Sequence, residues 1–216
     1  MCCAIGMAER VNGLERYDCA VNPEPSTQPE LVAVAHDLAS LHNVGAIFRT
    51  ADGAGFSRVI TSGYTGGPPD KRISKVALDA EQVLAHEAVA DVDALIERLA
   101  QAHVVVLEQS PASQAHHDLQ LDLPDGLQEI ALVACNELYG APRALLERAD
   151  VILELPMRGH KDSLNVAVAF GIAAFAVAHA ARPFSDADLR SRSASRNVRA
   201  GVLTSGRTQG ELPDRS

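Results

Sequence analysis

Between Leu31 and Ala181 the sequence keeps changing period. Short runs that are apolar on both faces give way to stretches with helical spacing, and then return. The short runs are Leu31–Ala35, Arg58–Thr61, Val104–Leu107, Ile130–Ala134 and Val151–Leu155. Each is bounded by turn residues and has no polar face to give to water, as a strand buried in a parallel sheet requires. Between them the spacing predicts helices over Val44–Gly53, Asp91–Gln101, Ala141–Arg148 and Leu164–Ala181. Asn43 is a good N-cap for the first, and Pro142 suits the first turn of the third. The last is apolar nearly all round, which predicts a buried helix. Strand alternating with helix predicts an α/β fold with a mostly parallel sheet flanked by helices.

The flanks differ in kind from this middle. Residues 1–30 lack sustained periodicity and end in a Pro-rich stretch, so they read as an N-terminal extension and linker. Residues 31–181 form the folded domain. Residues 182–216 read as a basic, flexible tail, with five arginines and no acid between Arg190 and Arg207. Two readings are open for it, a solvated end or an arm that orders on a polyanion.

Several function classes are disfavoured. The longest strictly apolar run, Val166–Ala178, is too short to span a bilayer. No secretory signal is visible, and Cys2, Cys3, Cys19 and Cys135 form no C-x-x-C pair. That usage predicts neither a disulfide framework nor a metal site, and it suits the cytoplasm. His116-His117-Asp118 reads as a solvated loop. The glycines of Thr61–Pro69 lack P-loop order, and no G-x-G-x-x-G follows the first strand.

Three polar clusters interrupt the pattern. In the first, Asn43 and Arg49 lie six residues apart, about 600° around a helix. Arg49 sits among Ala46, Ile47, Phe48 and Ala51, so it needs a partner. Asp52 or a distant acid could supply a structural ion pair; otherwise the guanidinium is functional. In the second, a strand runs into Asn136-Glu137, then a turn at Gly140. Polar side chains at the carboxyl end of a parallel strand are a usual place for a ligand, although a solvated capping turn is equally simple. In the third, the strand ending at Leu155 leads through a polar loop to Ser163 and Asn165. The start of the following helix could offer a polar pocket, or Asp162 or Ser163 could merely cap it.

In this order and spacing the clusters resemble the SpoU (TrmH) family of RNA ribose 2′-O-methyltransferases. Asn43-x-Gly45-x-x-x-Arg49-Thr50-Ala51-Asp52-Gly53-Ala54-Gly55 is similar to the family's first motif, and Asn136-Glu137-x-x-Gly140 to its second. Leu155-Pro156-Met157-x-Gly159, followed by Ser163-Leu164-Asn165-Val166-x-Val168-Ala169-x-Gly171-Ile172, is similar to its third. Ile73–Glu81 also resembles a segment found in many members. The resemblance covers Leu31 to Ala181.

It implies a SPOUT-type domain with a C-terminal trefoil knot, an exception to the rule against knots. It also implies S-adenosylmethionine as cofactor, RNA as substrate, and a homodimer with sites at the subunit interface. By motif match, Arg49 and Asn43 would act on the ribose hydroxyl, with Glu137 and Asn165 lining the site. The cofactor would meet Leu107, Cys135, Asn136, Leu155, Ser163 and Leu164. Neither metal nor membrane is implied. Cys135 and Leu138-Tyr139 depart from the pattern, standing where glycine is usual. A compact substrate suits the short extension and basic tail, so tRNA is expected somewhat ahead of rRNA. The alternative is a non-catalytic RNA-binding or assembly protein on the same fold.

The net charge of −9 argues against indiscriminate polyanion binding. Its distribution is uneven: Ser185–Ser216 contributes +2 and the remainder −11. Acids gather in Asp79–Glu97 and Asp118–Glu129, leaving room for a local basic face near the motifs.

Overall fold

The computed structural model describes residues 9–11, 14–16 and 28–183. Most of the N-terminal extension and nearly all of the basic tail, including the run from Arg190 to Arg207, lie outside the described residues. Within the extension, two short strands, β1 (Glu9–Val11) and β2 (Leu14–Arg16), pair antiparallel.

The main body is a seven-stranded sheet whose paired strands are all parallel. Its strands are β3 (Glu30–His36), β4 (Arg58–Ser62), β5 (Ala85–Val89), β6 (His103–Leu107), β7 (Gln114–Ala115), β8 (Glu129–Ala134) and β9 (Val151–Glu154). The order across the sheet is β5-β4-β3-β8-β6-β9-β7. β8 enters between the earlier strands β3 and β6, and β9 enters between β6 and β7. From β3 the chain moves on to β4 on one side; from β8 it moves toward β9 on the other. Such a reversal opens a crevice at the carboxyl ends of the strands, where ligands of α/β sheets bind.

Alternate residues of each central strand feed opposite layers. Leu31, Ala33, Ala35, Ile130 and Leu132 join one cluster with α1 (Leu41–Ala54), α2 (Lys71–Ala77), α3 (Ala80–Val83) and α6 (Val166–Ala181). Val32, Val34, Ala131 and Val133 join a second cluster with α4 (Val92–Arg98) and α5 (Arg143–Arg148). All five expected strands are present. The sequence pattern misses β5 and β7 because both are sheet edges. An edge strand need not be apolar on two faces, and Ala85-His86-Glu87-Ala88-Val89 is only partly buried.

Three helix expectations are corrected. α1 starts earlier than predicted: Ser40 is its N-cap, and Asn43 lies inside its first turn. α6 is capped by Asn165, not by Asp162 or Ser163; the Asn165 side chain accepts from the amides of Ala167 and Val168. Nor is α6 buried all round, because Val168, Ile172 and Phe175 stay exposed and continue in line with Leu164. α1 and α2 pack closely, and Gly45 permits this. A Cβ there would stand 2.7 Å from the Ile73 carbonyl oxygen.

Candidate active site

A cavity of about 260 Å³ opens at the carboxyl ends of β6, β8 and β9, against the start of α6. That is near the lower end of ligand-site volumes, about 300–1,000 Å³. Ala134, Leu153, Leu155, Val166 and Ala169 supply apolar wall. The structure brings Leu107, Cys135, Asn136, Leu155, Ser163 and Leu164 together around this one cavity. Its charged lining is one-sided: Glu108, Glu137 and Glu154 face it, and among the described residues no lysine, arginine or histidine does. Such a wall attracts a cationic small molecule and opposes a phosphate-bearing one.

Glu108 fixes the loops around the cavity. Its carboxylate accepts from the amide of Ala141 at 2.8 Å and from that of Gln109 at 2.9 Å. Gly140 makes room for it: the residue has φ +70°, and a Cβ would stand 2.5 Å from Glu108 Oε2. Glycine at the end of Asn136-Glu137-x-x-Gly140 is thus required by both backbone and packing. The Gln109 side chain donates through Nε2 to the Asp162 carbonyl at 2.5 Å, tying this loop to the one before α6.

Asn136 organises the second wall. Its Oδ1 accepts from the amides of Leu138 and Tyr139, both at 2.8 Å, closing the turn from within. Its Nδ2 donates to the Asp37 carbonyl at 2.9 Å and to the Tyr64 hydroxyl. Cys135 beside it is buried. Burial, then the charges of Glu108 and Asp37, pushes its thiol up to about 12. Leu138 and Tyr139 stand out in solvent.

Residues 43, 137 and 165 form a second, connected group. Asn43 Nδ2 donates to Glu137 Oε1 at 2.8 Å, and Asn165 Nδ2 donates to Asn43 Oδ1 at 3.1 Å. One amide chain therefore joins three segments far apart in sequence. Asn43 and Asn165 also border a shallow groove along α1 and α6, with Val168, Ile172 and Phe175.

Arg49 is not brought into this group. It is exposed and makes no hydrogen bond or ion pair with a described residue. The ion pair with Asp52 is therefore absent among the described residues. The apolar context misled: Ile47, Phe48 and Ala51 face the core, while Arg49 turns outward. Sequence reasoning also missed Glu108, Gln109 and Tyr64. Glu108 had one available signal, its place directly after a strand.

Other expectations concern absences. Among the described residues no group of three His, Cys, Asp or Glu side chains could hold a metal ion. No helix there is long and apolar enough to cross a membrane.

Comparison with known proteins bears on this arrangement. Residues 30–175 match the model of the SpoU rRNA methylase family. The chain is 33% identical over 153 residues to the 23S rRNA (guanosine-2′-O-)-methyltransferase of Pseudomonas putida, covering 70% of this chain and 60% of that protein. It is 35% identical over 155 residues to the enzyme of the same name from Pseudomonas aeruginosa, covering 71% and 60%. The chain thus spans about three fifths of the length of these relatives. Among solved structures, the AdoMet-bound rRNA methyltransferase of Sinorhizobium meliloti aligns with a TM-score of 0.63 at 27% identity, over 70% of this chain and 56% of that one.

Proposed function

The chain belongs to the SpoU rRNA methylase family, and on that premise we propose that it is an S-adenosylmethionine-dependent RNA ribose 2′-O-methyltransferase. The observation that carries the reading is the acidic cavity at the sheet's crevice, edged by the Glu137–Asn43–Asn165 chain. S-adenosylmethionine supplies an electrophilic methyl group on a sulfonium. Its sulfonium and ammonium charges suit Glu108, Glu137 and Glu154, and the walls at Leu107, Cys135, Asn136, Leu155, Ser163 and Leu164 would hold it. The relatives named above are 23S rRNA enzymes, which supports ribosomal RNA as substrate over the tRNA expected from sequence.

A ribose hydroxyl is a poor nucleophile, so transfer needs its proton removed or its developing alkoxide stabilised. Arginine keeps its proton in proteins. Arg49 therefore acts as a cation beside the alkoxide and a neighbouring phosphate, and its lack of a described partner leaves it free to do so. Asn43, held at both ends of its amide, positions the ribose, while Glu137 and Asn165 hold Asn43.

A second copy of the chain completes the site. Leu164, Val168, Ile172 and Phe175 form an exposed apolar line that borders Asn165, and burying it against a partner makes the homodimer. The entry of β8 and β9 between earlier strands supports a threaded, knotted C-terminal half. We keep residues 31–181 as the methyltransferase domain, residues 1–30 as an extension and 182–216 as a basic arm for RNA, in a cytoplasmic protein.

Recombinant protein given labelled S-adenosylmethionine and total RNA is expected to methylate ribose in ribosomal RNA. Arg49→Ala is expected to bind cofactor normally and to lose turnover. Methyl transfer near the wild-type rate in that variant refutes the role of Arg49. Absence of any ribose methylation returns the non-catalytic alternative.

A further inference from the structure

Three large residues stand in solvent around Asn136, which lines the cavity together with Leu138: Tyr64 at 59% exposure, Leu138 at 85% and Tyr139 at 87%. The chain has no tryptophan and three tyrosines, and both tyrosines described with side chains are in this place. One side chain governs them. Asn136 donates through Nδ2 to the Tyr64 hydroxyl, and accepts the Tyr139 amide at Oδ1. The same Asn136 lines the cavity. The Tyr64 amide is held as well, donating to Asp37 Oδ1 at 3.1 Å.

Nothing in folding explains this expenditure of aromatic surface. The buried aromatic rings, Phe48, Phe56 and Phe170, sit in the core, where their area stabilises the fold. Tyr64 is instead pinned by its polar end with its ring largely in water, and Tyr139 leans on no core. The Tyr64 ring, in water with its hydroxyl already occupied, offers a ligand its π-face, and the exposed Tyr139 ring offers another from a backbone that the same asparagine holds. Unpaired RNA bases are recognised by stacking on such faces, and the preference tolerates any base. The acidic cavity next to the rings repels phosphate, so a nucleotide would approach with its base and sugar, not its phosphate.

We infer that Tyr64 and Tyr139 form a stacking platform for an unpaired base next to the ribose that is methylated. The inference rests on the RNA-methylating function proposed above. The platform selects single-stranded RNA and presents the strand to the cavity mouth. It is separate from the apolar line on α6, which has no aromatic hydroxyl to hold and no polar bracket.

The test uses the full-length protein and two end-labelled 12-nucleotide RNAs, one of mixed sequence and one abasic throughout. Binding is read by fluorescence polarisation. Tyr139→Ala and Tyr64→Ala are each expected to weaken binding of the base-containing RNA by about tenfold or more. Tyr139→Phe keeps the π-face and binds like wild type. Abasic RNA binds wild type and both alanine variants equally. With no tryptophan to mask it, tyrosine emission of the wild type is quenched by the base-containing RNA and not by the abasic one.

Equal affinity of wild type and Tyr139→Ala for the base-containing RNA overturns the inference. So does a change of sedimentation in Tyr139→Ala at unaltered RNA affinity, which would give the patch to a second copy. Methyl transfer is scored separately. Transfer with no base-dependent loss in the variants keeps the enzyme and removes the platform. Base-dependent binding without transfer keeps the platform and removes the enzyme.

Discussion

Replacing Asn165 separates two jobs held by one side chain. Its Oδ1 caps α6 by accepting from Ala167 at 3.0 Å and Val168 at 3.3 Å. Its Nδ2 donates to Asn43, which in turn holds Glu137. Asn165→Ala removes both. Loss of an N-cap costs about 1 kcal/mol, and the exposed bond to Asn43 adds roughly 0.5 kcal/mol. A domain of this size loses about 2–4 °C in Tm per kcal/mol, so a fall of about 3–6 °C is expected. Asn165→Asp keeps the cap, and its charge favours the helix N-terminus. It has no hydrogen to give Asn43, however, and sets a carboxylate against Asn43 Oδ1. Turning the Asn43 amide to meet it would break the bond to Glu137. Asn165→Asp is therefore expected to melt within about 1 °C of wild type, to bind cofactor, and to lose most methyl transfer. Calorimetry, cofactor titration and a labelled-methyl assay read the three quantities. Wild-type turnover in Asn165→Asp refutes a role for the amide chain in the reaction. An unchanged Tm in Asn165→Ala refutes the capping argument.

Two further outcomes follow from burial and packing. Cys135 has its thiol pushed up to about 12, chiefly by burial, so it stays neutral at pH 8. Alkylation at pH 8 with peptide mapping should spare Cys135 in the native protein and modify it in denaturant; equal rates in both would contradict its burial. The neutral thiol favours the folded state below the unfolded value of about 8.5, and that contribution falls away as pH rises toward about 12. Gly45→Ala places a Cβ 2.7 Å from the Ile73 carbonyl and 2.9 Å from Val76 Cβ, forcing α1 and α2 apart. Overpacking costs about 1–3 kcal/mol against a helix-propensity gain of about 1 kcal/mol, so a net loss and a lower Tm are expected by thermal denaturation. A raised Tm would mean that the helices can separate freely.

What could be read in the sequence was what depends on local period. Leu31–Ala35 and Ile130–Ala134 announce themselves because a strand buried on both faces cannot carry polar residues. Ala85–Val89 does not, because an edge strand meets water. Helix starts were legible only to within a few residues. Ser40 and Asn43 are both competent caps, as are Asp162, Ser163 and Asn165, and only the surrounding fold selects among them. The motifs marked the segments that meet at the site, yet not the bonds among them. Glu108 reaches the Ala141 amide because β6 and β8 are neighbours, a register that no local pattern encodes. Arg49 illustrates the opposite error: apolar neighbours in sequence are neighbours in space only if they share its helix face.

Net charge misleads here because the charges are sorted by place. Among the described residues the cavity has carboxylates and no cation. Outside it, Arg49, Lys71, Lys75, Arg158 and Lys161 are exposed and unpaired among the described residues. Elsewhere the arginines are spent on structure: Arg98 is clamped between Glu87 and Glu129, and Arg148 is bound to Asp150 and to carbonyls of the α4–β6 turn. An unpaired surface cation interacts with phosphate at the cost only of shedding water and counterions, whereas a clamped one must first break its carboxylate bonds. These cations are therefore available to a polyanion although the whole chain carries −9. Screening over about 8–10 Å isolates them from acids farther away along the surface. On the function proposed above, the same sorting suits two partners of opposite charge: a cationic cofactor inside the acidic cavity, and an anionic strand met by cations outside it.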